Sequence, residues 1–225
     1  MKNVTVFKEA GIYAGWPANH GAWQWGHEFL VGFMRGPFNL KNSMHHIGQP
    51  FELVQSRSID GGNTWSVEAT GIPLAPPSAN EKATLTPNSI IKVRGVYDHG
   101  GDYVDERGCF YASEDRGAHW SGPYKFLGLE GQFHPPLGCT GRTRVLEDLV
   151  FLSSADMNCW GTDEVLVANL KDGAFKFVGA IAGYGGRIVM PAVAKVGDRI
   201  VAVCRRRNSA RNGGWVEAFG SDDGG

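Results

Sequence analysis

The octet Ser58-Ile59-Asp60-Gly61-Gly62-Asn63-Thr64-Trp65 returns as Ser113-Glu114-Asp115-Arg116-Gly117-Ala118-His119-Trp120, and a third copy opens at Ser221-Asp222-Asp223-Gly224-Gly225. Both full copies read Ser-x-Asp-x-Gly-x-x-Trp. Their starts, at 58, 113 and 221, lie 55 and 108 residues apart, the second gap being twice 54. The unit therefore repeats every 54 to 55 residues, with a degenerate copy inside the second gap. Fixed-period similarity marks a chain of stacked or radial units, each burying its apolar face on its neighbours.

The octet is turn chemistry. Ser58 and Asp60, like Ser113 and Asp115, can aim side-chain oxygens at nearby backbone N–H groups and hold a tight turn. Gly62 and Gly117 accept φ > 0 without a Cβ clash. Trp65 and Trp120 re-enter a strand and bring a large ring to bury. The octets thus read as clips between strands, and nothing in turn chemistry makes Asp60 or Asp115 a reactive acid.

This pattern resembles the Asp box (bacterial neuraminidase repeat) of the sialidase superfamily. The resemblance implies an all-β, sialidase-like β-propeller of four-stranded antiparallel blades, about four present where sialidases have six. It implies one domain over residues 1–225, cut inside its last box. A chain so cut leaves strand edges and apolar faces bare, so the 225 residues alone are expected to associate.

Composition agrees. Glycine is 32 of 225 residues, enough for many turns, and aromatics are 11%. With 22 basic and 23 acidic residues there is no basic stripe to bind nucleic acid. No apolar run reaches the 18 residues that suggest a membrane span. Residues Met1 to Glu9 lack the apolar stretch of a signal peptide, so the default placement is cytoplasmic. Cys109, Cys139, Cys159 and Cys204 form no Cys-x-x-Cys, so neither zinc nor another cofactor is expected; Cys109 and Cys204 sit in strand-like runs as buried thiols.

Strand-like stretches recur between the turns. The first repeat has Ile12 to Trp25, Glu28 to Met34, Phe51 to Arg57 and Ser66 to Thr70. The second has Ser89 to Val93 and Cys109 to Ala112. The third has Thr143 to Leu146, Leu149 to Leu152 and Val165 to Ala168, then the degenerate box Lys171-Asp172-Gly173-Ala174-Phe175. The fourth has Met190 to Val196, Arg199 to Cys204 and Trp215 to Phe219. No segment reads as a helix.

Candidate functional residues are polar groups at inner-strand ends and in loops, away from the boxes. Arg94, Arg142 and Arg205 close strand-like runs in three different repeats, and a guanidinium fork suits a carboxylate. Three guanidiniums together favour an anionic sugar; as solvated strand ends they would bind nothing. Asn19 and His20 stand beside the first inner strand, and His45-His46 in its second loop. A histidine serves as acid or base near neutral pH, or as a hydrogen-bonded loop residue. Trp16, Trp23, Trp25 and Trp160 can stack a sugar ring or fill the core.

The resemblance makes Arg205 the counterpart of a family arginine that holds the sugar carboxylate. Met190 stands where the family has the glutamate that activates a tyrosine nucleophile. A thioether cannot take that proton. Gly15-Trp16-Pro17 replaces an Arg-Ile-Pro, and the loop before the first box offers His45-His46 in place of the aspartate acid/base. Two readings stay open: a glycoside hydrolase or lyase with a rearranged site using His20 and His46, and a non-catalytic propeller that binds a glycan or a protein.

Overall fold

The computed structural model describes residues 3–41, 46–72, 81–86, 88–94, 109–128, 144–146, 149–155, 161–171, 174–182, 187–207 and 214–223. For 18–19, 93–94, 205–207 and the described residues between 144 and 191 it describes the backbone alone.

The first sheet contains β1 (Ile12–Gly15), β2 (Ala22–Trp25), β3 (Glu28–Pro37), β4 (Glu52–Ser58) and β5 (Ser66–Ala69), with a four-residue helix α1 (Pro17–His20) between β1 and β2. All pairings are antiparallel, in the order β1-β3-β4-β5, with β2 also on β3. Gly15 lies opposite Met34 and Ala22 opposite Val31, so β1 and β2 are one strand position interrupted halfway along β3. Sequence patterning gave a single strand over Ile12 to Trp25 and no helix; the structure corrects both. Pro17 lies in the helix's first turn, where its missing N–H costs nothing, after Trp16 in the left-handed region at φ 58°. Gly32 N–H, inside the gap, donates to Gly21 O at 2.9 Å and keeps the ladder satisfied.

The second sheet is β6 (Ile90–Arg94), β7 (Cys109–Ser113) and β8 (Ser121–Tyr124), three strands among the described residues. Next come β9 (Arg144–Leu146), β10 (Leu149–Ala155), β11 (Gly161–Lys171) and β12 (Ala174–Ala182), a four-strand meander. The last unit is β13 (Arg187–Val196), β14 (Arg199–Arg207) and β15 (Trp215–Ser221). One pairing, Thr162 opposite Ile188, links β11 to β13.

The repeat and the sheets share one register. The two octets join β4 to β5 and β7 to β8, and the third begins at the end of β15. Lys171 pairs with Ala174 across the degenerate copy, whose residues 172 and 173 lie outside the described residues. Successive units touch in turn: α1 with β6, β6 with β9, β9 with β13. Apart from α1 every named element is a strand, which meets the all-β expectation.

Burial alternates with period two along β14, whereas β7 is buried at every position from Cys109 to Ser113. Leu30, Met34 and Val54 are buried in the first sheet, Ile90, Ile91, Phe110 and Tyr111 in the second, and Ile200, Ala202 and Cys204 in the last. Cys109 and Cys204 are buried thiols outside any disulfide, as their strand context indicated; Cys139 and Cys159 lie outside the described residues.

Candidate functional site

The turns fix one end of each sheet. In the first octet Ser58 Oγ donates to Asp60 Oδ1 at 2.8 Å and accepts from Gly62 N–H at 2.9 Å. Asp60 Oδ1 accepts from the N–H groups of Asn63 and Thr64, and its Oδ2 from Thr64 Oγ1 at 2.7 Å. The Thr64 backbone N–H, then its hydroxyl and that of Ser58, hold the Asp60 carboxyl at about 2. The second octet repeats this design: Ser113 Oγ lies 2.8 Å from both Asp115 Oδ1 and Gly117 N, and His119 replaces Thr64 with its ring Nδ1 2.6 Å from Asp115 Oδ2. Burial alone would raise the Asp115 carboxyl, but the His119 N–H and ring and the Ser113 hydroxyl hold it at about 2. Both aspartates are committed to turns.

Trp65 and Trp120 depart from the expected full burial between sheets. Both are half-buried. Trp65 Nε1 donates to Gly62 O of its own turn at 3.0 Å, and the ring meets Phe29 of the same sheet. Trp120 does join two sheets: its Nε1 donates to Gln55 Oε1 on β4 at 3.2 Å, and its ring lies 6.0 Å from that of Trp23 on β2.

Sequence reasoning missed the seam that Trp120 closes. Gln55 Nε2 donates to Gly117 O at 2.7 Å and Glu68 Oε2 at 3.1 Å. Arg57 donates to Glu28, Glu68 and the Arg116 carbonyl, while Arg116 reaches Glu28 at 2.8 Å. Burial works against the Glu28 carboxylate, yet Arg116 and Arg57 hold it below the usual range. A legible signal was available: Lys92 interrupts the apolar run Ser89-Ile90-Ile91-Lys92-Val93.

The sequence candidates fall as follows. His46 lies in the β3–β4 loop, its backbone O accepting from Asn39 N–H at 2.8 Å and its ring 5.9 Å from Phe38. Its Nδ1 is buried without a hydrogen-bond partner among the described residues. His20 is buried at the end of α1. Its carbonyl lies against Gly32, where a Cβ would come within 2.4 Å of it. Gly32 lies within β3 and Phe38 one residue past its end, so His20 and His46 border different stretches of the same chain segment. Arg94 pairs with Cys109 and Arg205 with Val189 and Val216, whereas the octet ends of those sheets are marked by Ile90 opposite Ser113 and Ile200 opposite Ser221. By register, then, Arg94 at the end of β6, Arg205 within β14 and His46 in its loop lie toward the sheet ends remote from their octets; Arg205 does not close its strand as expected, because the pairing with β13 carries β14 on to Arg207. Backbone alone is described for Asn19, Arg94 and Arg205; Arg142 and His45 lie outside the described residues.

A cavity of about 360 Å³ opens at that same end of the first sheet, lined by Glu9, Ile12, Arg35, Pro50, Phe51 and Glu52 among others. Arg35 Nε donates to Glu52 Oε1 at 2.7 Å, and its guanidinium lies over Phe7. Two carboxylates against one guanidinium suit a neutral polyol better than an anion. Among the described residues no three His, Cys, Asp or Glu side chains cluster to hold a metal ion, and no helix is long and apolar enough to cross a membrane.

No protein-family model matches the sequence, and no curated protein matches it. Solved structures do. Zg3597, a family 117 glycoside hydrolase produced by the marine bacterium Zobellia galactanivorans, is similar over 99% of this chain and 71% of its own, with a TM-score of 0.56 and 12% identity. Bacteroides ovatus Xyloglucan PUL GH43B is similar over 91% of this chain, with a TM-score of 0.52 and 13% identity. This chain spans 38% of the length of that protein. The architecture is thus the β-propeller of glycoside hydrolases, and the sialidase resemblance is met at the level of the propeller, since neither of these two proteins is described as a sialidase.

Proposed function

We propose that this propeller is a glycan-active protein, a glycoside hydrolase or lyase whose site departs from that of sialidases. The observation that supports it is the fold, which is similar to that of a family 117 glycoside hydrolase with a TM-score of 0.56. The site we assign is the end of the sheets remote from the octets. There Arg94, Arg142 and Arg205, with Asn19, bind substrate, and the guanidinium forks receive a sugar carboxylate. His46, with its unpaired ring nitrogen, moves a proton in the β3–β4 loop. His20, against Gly32 of β3, serves a different step or a different sugar unit.

An acidic sugar is therefore the first reading. A neutral sugar is the second, favoured by the cavity between Glu9, Arg35 and Glu52. The test is turnover of an aryl sialoside, an aryl uronide and a panel of neutral aryl glycosides by the full-length protein. Turnover of the acidic substrates, abolished in Arg205→Ala with an unchanged melting temperature, supports the first reading. Turnover of neutral substrates alone selects the second. Glycan binding without turnover of any substrate selects a non-catalytic propeller, and neither binding nor turnover defeats the glycan reading.

A further inference from the structure

The seam between the first two sheets encloses an amine with no acid to answer it. Lys92, on β6, is 4% exposed. Its Nζ lies 4.5 Å from the Trp120 ring centroid, 5.9 Å from that of Trp23, and 3.4 Å from Gln55 Oε1. No carboxylate touches it among the described residues. A buried charge normally has a partner and several hydrogen bonds. Here an ammonium would have one amide oxygen, already accepting from Trp120 Nε1, and two indole faces. Cation–π attraction returns only part of what it costs to strip an ion of its water.

We infer that Lys92 is a proton-operated latch on this seam: the neutral amine lets the sheets close on Trp23 and Trp120, and protonation drives them apart. Among the described residues, the remaining groups around it do not supply a counter-charge. From β4 comes Gln55, with Arg57 and Glu68 beyond it, and Glu68 is already engaged by both. From β7 comes Tyr111, opposite Lys92 and buried. The second octet brings Arg116, bound to Glu28, and the Asp115–His119 pair, closed on itself. Helix α1 brings His20, buried against Gly32, whose strand neighbour is Gln55. From β9 comes Arg144, of which the backbone alone is described. Since α1 also touches β6, opening the seam would shift the segment that carries His20.

The linkage has a definite sign. Burial pushes the Lys92 ammonium down to about 7 from 10.5. Between those values the open seam binds the proton and the closed seam does not, so opening rises as pH falls; below the lower value both forms are protonated and the dependence stops. The structure supplies an internal control, because Trp120 Nε1–H bonds across the seam and Trp65 Nε1–H bonds within its own turn.

The experiment is exchange of the two indole protons by NMR in the full chain, expressed as protection factors from pH 10 to pH 6. Protection of Trp120 should fall about tenfold per pH unit down to the plateau, as one proton requires, while Trp65 does not follow. Lys92→Met, which fills the seam without charge, should remove the slope; Lys92→Arg should leave the seam open at every pH. A flat wild-type profile for Trp120 overturns the latch whether or not the variants fold. So does a slope that persists in Lys92→Met or is shared by Trp65.

Discussion

The two octets make the same turn and do different work. In each, a serine hydroxyl takes the glycine N–H and an aspartate collects the N–H groups that follow. The first octet then closes on itself: Trp65 bonds to Gly62 O and rests on its own sheet. The second reaches across: the Gly117 carbonyl and the Trp120 indole both meet Gln55, and Arg116 meets Glu28. Local sequence thus specifies the turn, while the preceding sheet decides whether the turn is also a joint. Among the described residues only the second octet has such a sheet beside it.

The largest expected difference lies in the tryptophans. Trp120→Ala should cost about 3 kcal/mol and Trp65→Ala about half that, since only Trp120 gives up contacts in two sheets. Urea denaturation of the full chain measures both; equal losses would break the distinction. The glycines come next. Gly62 and Gly117 both have positive φ, 85° and 81°, so either alanine variant is strained by about 1 kcal/mol. A Cβ at Gly117 would also lie 2.5 Å from Leu30 Cδ2, whereas at Gly62 the nearest atom is 3.7 Å away. Gly117→Ala should therefore cost about 1 kcal/mol more than Gly62→Ala, through overpacking.

Acid should treat the octets alike, because Asp60 and Asp115 are both held at about 2. A carboxyl with a depressed folded pKa contributes stability above its unfolded value of about 4, and that contribution is lost as pH falls toward the folded value. Melting temperatures should drop between pH 4 and pH 2, and Asp60→Asn and Asp115→Asn should each flatten part of that slope. If only one of them does, the turns are not equivalent. The smallest effect is expected of Arg116→Ala. Its side chain is 55% exposed, so its bridge to Glu28 should contribute no more than about 0.5 kcal/mol, read from the same denaturation curves.

What the sequence discloses depends on how far apart the cooperating residues lie. The octets are legible because every turn bond spans two to four residues, and Ser, Asp and Gly announce that chemistry. Strands such as Cys109–Ser113 and Trp215–Ser221 are legible within a residue or two from their apolar runs and bounding turns. Helix α1 is not, since four residues behind one proline carry no period. The seam is not either, because Gln55 meets Lys92 and Trp120 across 37 and 65 residues. Of the candidate site, the strand-end position of Arg94 follows from the repeat, while β14 running past Arg205 to Arg207 does not. The distance between His20 and His46 does not, because it depends on where the inner strand breaks.

That break changes what the first sheet can accept. Residues 16–21 leave β3 opposite Met34 and rejoin it opposite Val31, with the Gly21 carbonyl holding Gly32 between them. The two ends are anchored about 10 Å apart, whatever lies between them. Closing a longer excursion over a fixed span adds only about 0.6 kcal/mol per doubling of length. The interruption is thus a port where new chain can be grafted beside the inner edge of the sheet without disturbing the ladder, and it offers a protein engineer a way to vary what that edge presents.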